Sequence, residues 1–199
     1  ELVRNIVASP LSGRLGGLAD VRPWVSRLDA AIQDDPDLAR LPGRFLFALD
    51  DGSGDVAGLQ ADVCALVVDD GAALVVAGSD TGVRVEIDAA VGALVTIARR
   101  FVAIRGKAWR IAELDDPGVL TEGLQGLASI APPVAVTPVN RPPVGWIDQD
   151  DGRVALGAAV PLGVLSARQA HFVAAVEAPV VITPWRSLLI CDLAEGVAD

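Results

Sequence analysis

Two helices are predicted in the N-terminal two thirds of the chain from the spacing of apolar residues. Apolar positions from Val21 to Ile32 recur at helical intervals, and Asp20 is placed to cap that helix. A longer apolar stripe from Ile87 to Val102 predicts the strongest helix of the chain. A third, shorter helix is expected around 118–127.

Between the two main helices the pattern changes to short apolar runs typical of strands. The run at 45–49 ends at the turn-forming sequence DDGSGD. The runs at 61–68 and 72–77 are joined through Asp69-Asp70-Gly71, which predicts a hairpin with an Asp-Gly turn. Helices and strands in this order indicate a layered α+β fold.

The C-terminal part repeats the alternation on a smaller scale. Ser166 and Gln169 form the signature of a capping box, which predicts a helix that begins there and runs through Val176. Strands are predicted on both sides of that helix, at 144–148, 153–159, 179–183 and 187–192. The ββαββ order is typical of a ferredoxin-like half-domain.

A proline-rich segment separates the two parts. Residues 131–143, with the sequence APPVAVTPVNRPP, block helix formation and remove backbone donors, so an extended connector is expected. We therefore predict an α+β domain at 1–130, a linker at 131–143 and a half-domain at 144–199.

Charge and composition exclude several classes of protein. The 199 residues carry a formal net charge of −10, which disfavours nucleic acid as a partner. Acidic residues interrupt every long apolar stretch, so no membrane span is expected, and a cytoplasmic location is the prediction. The chain begins with Glu1 and contains no methionine, which we interpret as the sign of an excerpt from a longer protein.

Few residues suggest chemistry on their own. Cys64 and Cys191 lie in separate apolar runs and are expected to be buried free thiols, too few to hold an iron–sulfur cluster. His171 has no second histidine or cysteine at ligand spacing, so a surface position on its helix is expected. The acidic pairs, such as Asp50-Asp51, stand beside turn residues, where solvated turns are the expected explanation.

Four segments together resemble the sulfite and nitrite reductase superfamily. They are VRNIVASPLSGR at 3–14, LPGRFLFALDD at 41–51, PPVGWIDQDDGRVALGAAVPLGVLSARQ at 142–169 and TPWRSLLI at 183–190. Their order and spacing cover nearly the whole chain. The resemblance implies a sulfite/nitrite reductase-like α+β domain followed by a ferredoxin-like half-domain.

Within that superfamily the segments look most like precorrin-3B synthases. The second segment of a sulfite reductase carries two basic residues alternating on a strand, whereas here Arg44 holds the first place and Leu46 the second. Since side chains two apart on a strand share a face, Leu46 would present an apolar group where a reductase presents a cation to its anionic substrate. The resemblance implies oxygen-dependent hydroxylation of precorrin-3A, with lactone formation, in cobalamin biosynthesis.

The resemblance also implies site residues, cofactors and partners. Arg4, Asn5, Arg44 and Arg186 match positions expected to bind the tetrapyrrole, and guanidinium groups suit its rim of carboxylates. The full-length enzyme would hold a [4Fe–4S] cluster on ligands outside this chain, with sirohaem or a non-haem iron as further options. The partners would be the tetrapyrrole and missing N- and C-terminal domains, so this piece alone is expected to be inactive.

Two alternatives remain open at this point. A sirohaem-dependent sulfite or nitrite reductase shares the implied architecture and differs in what its pocket holds. A non-catalytic half of the duplicated fold, acting only as a scaffold, also fits the same segments.

Overall fold

The computed structural model describes residues 5–124, 128–136 and 142–195. In these ranges the chain forms ten strands in two sheets and three α-helices. The residues divide into two compact units, one formed by 1–12 and 17–139 and the other by 13–16 and 140–199. None of the described helices has the length and apolarity that crossing a membrane requires.

The first unit contains a six-stranded sheet in the order β1-β2-β3-β4-β5-β6. Its strands are β1 (Ile6–Ala8), β2 (Phe47–Asp50), β3 (Val63–Val68), β4 (Gly71–Val76), β5 (Ser79–Val85) and β6 (Ala128–Ile130). The strands β1, β2 and β3 are parallel, and the remaining pairs are antiparallel. The predicted hairpin is confirmed as β3 and β4. Because β1, β2 and β3 run in one direction, the residues that precede them meet at one edge of the sheet.

Two helices, α1 (Arg22–Gln33) and α2 (Ala90–Ile104), supply the apolar residues that cover this sheet. The predicted stripes are buried as expected: Trp24, Leu28 and Ile32 on α1 join Leu94 and Phe101 on α2 in one core. The helix predicted around 118–127 is wrong in its described part, where the backbone forms only a short 3₁₀ turn at Pro117–Leu120. Pro117 and Gly118 favour such a turn over a longer helix.

The second unit contains a four-stranded antiparallel sheet and one helix. The sheet has the order β7-β8-β10-β9, with β7 (Gly145–Asp148), β8 (Val154–Ala159), β9 (Val180–Ile182) and β10 (Ser187–Leu193). The helix α3 (Ala167–Ala174) lies between β8 and β9 in sequence, so the predicted ββαββ order is confirmed. Both hydrogen bonds of the predicted capping box are present: the Ser166 side chain accepts from the Gln169 N–H, and the Gln169 side chain accepts from the Ser166 N–H. The helix is shorter than predicted, since it ends before Val176.

The described part of the proline-rich segment lies along the first unit. Residues 131–136 contain no helix or strand. The Ala131 N–H donates to the Gly82 carbonyl at 2.9 Å, and the Val134 N–H donates to the Asp80 carboxylate at 2.7 Å. Asp80 also forms an ion pair with Arg84 at 2.8 Å, with both side chains buried. The segment is therefore fastened to β5 through a buried charge pair. Residues 137–141 lie outside the described ranges.

Candidate anion-binding site

The strongest candidate among the predicted site residues is Arg44, which is exposed and lies in a turn ahead of β2. The strand begins only at Phe47, so Arg44 and Leu46 are not strand residues. The expectation that the two side chains share a strand face is therefore wrong, because the turn after Pro42 and Gly43 delays the start of the strand. Leu46 is half-buried. No described residue forms an ion pair with the Arg44 guanidinium.

Asn5 lies beside this turn and holds it through its side chain. Its Nδ2 group donates to the Gly43 carbonyl at 2.8 Å and to the Phe45 carbonyl at 3.2 Å. Its own carbonyl accepts a hydrogen bond from the Phe47 N–H at 2.9 Å. The structure thus brings Asn5 next to the turn that carries Arg44. Arg4, the other predicted member, lies outside the described residues.

Asp62 holds the turn from the other side. It immediately precedes β3 and its side chain is 1% exposed. One carboxylate oxygen accepts from the Leu46 N–H at 2.9 Å and the other from the Ile111 N–H at 2.7 Å. Burial raises the pKa of Asp62, although these hydrogen bonds and the nearby Arg110 oppose the rise. Sequence reasoning missed Asp62; the signal was an aspartate directly before a fully apolar run.

Arg110 supplies the positive charge that Asp62 needs. Its Nε atom lies 2.6 Å from the Asp62 carboxylate, and its other arm donates to the Gln60 carbonyl at 2.6 Å. A buried carboxylate without a cation is costly, and Arg110 lowers that cost for Asp62.

Arg186 belongs to the second unit and has its own surroundings. It is exposed and lies in the turn between β9 and β10 with a positive φ of 55°. It lines a cavity of about 290 Å³ together with mainly apolar residues. At the base of the turn the buried hydroxyls of Thr183 and Ser187 lie 2.6 Å apart. A guanidinium over an apolar cavity suits a ligand with both an anionic group and an apolar body.

The DDGSGD turn contains another cluster of polar side chains, and its acids are less exposed than the sequence predicted. Asp50 and Asp51 are buried, so the expectation of solvated acids is wrong. Asp50 accepts backbone hydrogen bonds at 2.8–3.0 Å from Gly52, Gly54, Val56 and Ala57. These four donors fold the turn around the carboxylate, and that structural use explains why the charge is buried.

The carboxylates of Asp50, Asp51 and Asp55 lie close enough to hold a cation, with ligand atoms within 4.8 Å of one another. Asp55 accepts a hydrogen bond from the Ser9 hydroxyl at 2.6 Å. Burial, together with the charges of Asp50 and Asp51, raises the pKa of Asp55 to about 6. Since Asp50 is already saturated by backbone donors, turn formation accounts for this group without a metal.

The residues available for iron–sulfur or haem ligation do not form a ligand set. Cys64 in β3 and Cys191 in β10 are buried, as predicted, and neither forms a disulfide. Burial raises the pKa of the Cys64 thiol well above its usual value, which disfavours the thiolate that a metal needs. His171 is exposed on α3, as expected. Two thiols do not fit a four-iron cluster, which needs four thiolate ligands.

Comparisons with known proteins show what this fold is similar to. No family model matches the chain, and no curated protein sequence matches it. Twenty-three chains of solved structures do match. One is the NirA protein of Mycobacterium tuberculosis, with a TM-score of 0.75 and 21% sequence identity over 96% of this chain. The chain spans 41% of the NirA chain, so it has the fold of a part of that protein.

Proposed function

We propose that this chain is the tetrapyrrole-binding part of an oxidoreductase of the sulfite and nitrite reductase superfamily, of the precorrin-3B synthase type. The observation that carries the proposal is the exposed Arg44, held in its turn by Asn5 and Asp62 and unpaired among the described residues. An exposed cation on a fixed turn, with no ion-pair partner in the part of the chain that the structure describes, suits an anionic ligand.

Two kinds of similarity support the superfamily. Four segments of the sequence resemble it in order and spacing, and the fold shared with NirA agrees with that resemblance. At 21% identity the shared fold supports the architecture. The reaction is therefore argued from the residues of the site.

The chemistry of a precorrin matches the candidate residues. Its rim carries many acetate and propionate carboxylates, and a guanidinium can donate two parallel charge-assisted hydrogen bonds to each. Arg44 and Arg186 are both exposed, and each is proposed, like Arg4, to contact a carboxylate of the rim. The proposed role of these residues is to bind and orient the rim while bound cofactors supply the electron and oxygen chemistry.

Leu46 favours a precorrin substrate over sulfite or nitrite. It follows Arg44 by two residues and is half-buried, so this turn offers one cation where the reductase motif carries two basic residues. A small inorganic anion needs concentrated positive charge, whereas a large tetrapyrrole also gains from apolar contact. The sirohaem-dependent reductase remains the alternative function, and a non-catalytic scaffold half is the second.

The proposal includes domains beyond this chain. We propose that 131–143 links an α+β domain at 1–130 to a ferredoxin-like half-domain at 144–199. A further half-domain would cover the apolar side chains that the second unit leaves exposed, such as Leu162, Phe172 and Ile182. The ligands of a [4Fe–4S] cluster are proposed to lie in another part of the full-length protein, in the cytoplasm.

The test is to assay the full-length protein with each candidate substrate. Incubation with precorrin-3A, oxygen and a reductant should give the hydroxylated lactone, detected by mass spectrometry. Reduction of sulfite or nitrite by a reduced dye, together with a sirohaem absorbance band and no conversion of precorrin-3A, would favour the reductase. If the protein has neither activity and binds no tetrapyrrole, the non-catalytic scaffold would be the remaining function.

A further inference from the structure

The turn that carries Arg44 is held at several points of its main chain. Asn5 contacts the carbonyls on both sides of Arg44, those of Gly43 and Phe45. The Asp62 carboxylate accepts a hydrogen bond from the Leu46 N–H. The Asp62 N–H in turn donates to the Leu46 carbonyl at 2.9 Å. The turn precedes β2, and β1 and β3 are the two strands that pair with β2. The turn is thus fixed by the residues that precede those two strands.

The side chain of Asn5 has no donor left for a ligand. Its amide carries two N–H groups, and both are used by the carbonyls of Gly43 and Phe45. What remains is the Oδ1 acceptor, which would repel a carboxylate. Asn5 therefore does not bind an anionic rim directly, which changes the role that the sequence resemblance implied for it.

The ion pair between buried Asp62 and half-buried Arg110 completes the arrangement. Asp62 needs a cation, and Arg110 provides it at 2.6 Å. Because Arg110 compensates the charge of Asp62, the carboxylate can accept the Leu46 N–H and hold the turn from within the fold.

We infer that Asn5 and Asp62 are positioning residues that hold the main chain around Arg44, so that this turn presents the arginine to a carboxylate of the ligand. The inference rests on the proposed function, because it needs an anionic ligand at Arg44. Of these three residues, Arg44 alone contacts the ligand in this inference. Asn5 and Asp62 affect binding only indirectly, through the turn. Preorganisation of this kind raises affinity by removing the entropy cost of ordering the main chain of the turn on binding.

A double-mutant cycle on the full-length protein tests the inference. The probe is uroporphyrin III, a stable tetrapyrrole with a carboxylate rim, and binding is followed by quenching of tryptophan fluorescence. We expect Asn5→Ala to raise the dissociation constant about three- to ten-fold and Arg44→Leu about ten- to a hundred-fold. In the Arg44→Leu background, Asn5→Ala should have no further effect, since it acts through Arg44. Arg27→Leu, at an exposed arginine on α1, controls for the loss of one charge.

Each outcome separates the inference from the proposed function. An equal effect of Asn5→Ala in both backgrounds would mean direct contact or a general structural role, and it would overturn the positioning role. No effect of Asn5→Ala in the wild type would overturn it as well. Unchanged binding in Arg44→Leu would instead defeat the proposed site. If Asn5→Ala is unfolded at the assay temperature, Asn5→Ser keeps one donor and should show the same coupling at smaller size.

Discussion

The two units of this chain differ in how they treat apolar and charged side chains. In the first unit the stripes of α1 and α2 are buried in one core, and buried acids have defined partners. In the second unit every side chain of α3 is exposed except that of Val173, which is half-buried. Phe172 is 62% and Ile182 is 86% exposed. The first unit has a complete core of its own, whereas the second has apolar surface typical of an interface.

Two phenylalanines, one on a helix of each unit, test this contrast. Their replacement is expected to give the largest difference in stability among these predictions. Phe101 on α2 is fully buried, with its ring centroid 5.3 Å from that of Phe45. Phe101→Ala should cost about 3–5 kcal/mol of the free energy of unfolding. Phe172→Ala on α3 should cost about 1 kcal/mol or less, because it loses mainly a contact with Arg168. Denaturant unfolding of this chain measures both, and equal costs would refute the contrast.

Two ion pairs extend the comparison to charges. In the first unit Arg84 and Asp80 form a two-pronged pair whose side chains are 4% and 1% exposed. Arg84→Met leaves the buried Asp80 without its cation and should cost about 3 kcal/mol. In the second unit Arg153 and Asp151 are more than half exposed and 3.8 Å apart. Arg153→Met should change stability by about 0–1 kcal/mol. A cost for Arg84→Met below that of Arg153→Met would contradict the account.

The smallest expected effect concerns two acids with opposite pKa shifts. Burial raises the pKa of Asp55 to about 6, so the native state binds its proton more tightly than the unfolded chain. Stability should therefore fall as the pH rises from about 4 to about 6. The hydrogen bond from Arg14 lowers the pKa of Asp192 to about 2, so its contribution is present above about pH 4 and is lost as the pH falls toward 2.

Asp55→Asn isolates the first of these shifts. The amide cannot ionise but its oxygen can still accept from the Ser9 hydroxyl. The variant should gain at most about 1 kcal/mol at pH 7, since Asp55 is partly exposed, and should match the wild type near pH 4. Thermal unfolding between pH 4 and 8 measures this, with the exposed Asp69→Asn as the control for charge. A stabilisation that did not depend on pH would rule out the titration of Asp55 as its cause.

Much of the fold could be predicted from the sequence because periodicity determines which faces are buried. The stripes of α1 and α2, the β3–β4 hairpin and the ββαββ order of the second unit all followed from spacing and turn residues. Buried polar groups could not be predicted this way. Asp62 and Asp80 accept from the N–H groups of Ile111 and Val134, which are distant in sequence and come close only when the chain has folded.

The candidate site shows the same limit. Sequence motifs pointed to Asn5 and Arg44, and the fold brings them together through the carbonyls of Gly43 and Phe45. The motif placed Arg44 on a strand, but Pro42 and Gly43 form a turn there. Asp62 and Arg110, which carry no motif, became visible only through their distances.

The central claim is that Arg44 binds the carboxylate rim of a tetrapyrrole, and one measurement tests it most directly. The dissociation constant of precorrin-3A should be compared, under anaerobic conditions, for the full-length wild type, Arg44→Leu and Arg44→Lys. A charge-assisted hydrogen bond contributes about 1.5–3 kcal/mol, so Arg44→Leu should bind about ten- to a hundred-fold more weakly. Arg44→Lys should recover only part of the loss, and the thermal midpoint should stay nearly unchanged. Wild-type affinity in both variants, or unfolding of Arg44→Leu, would contradict the account.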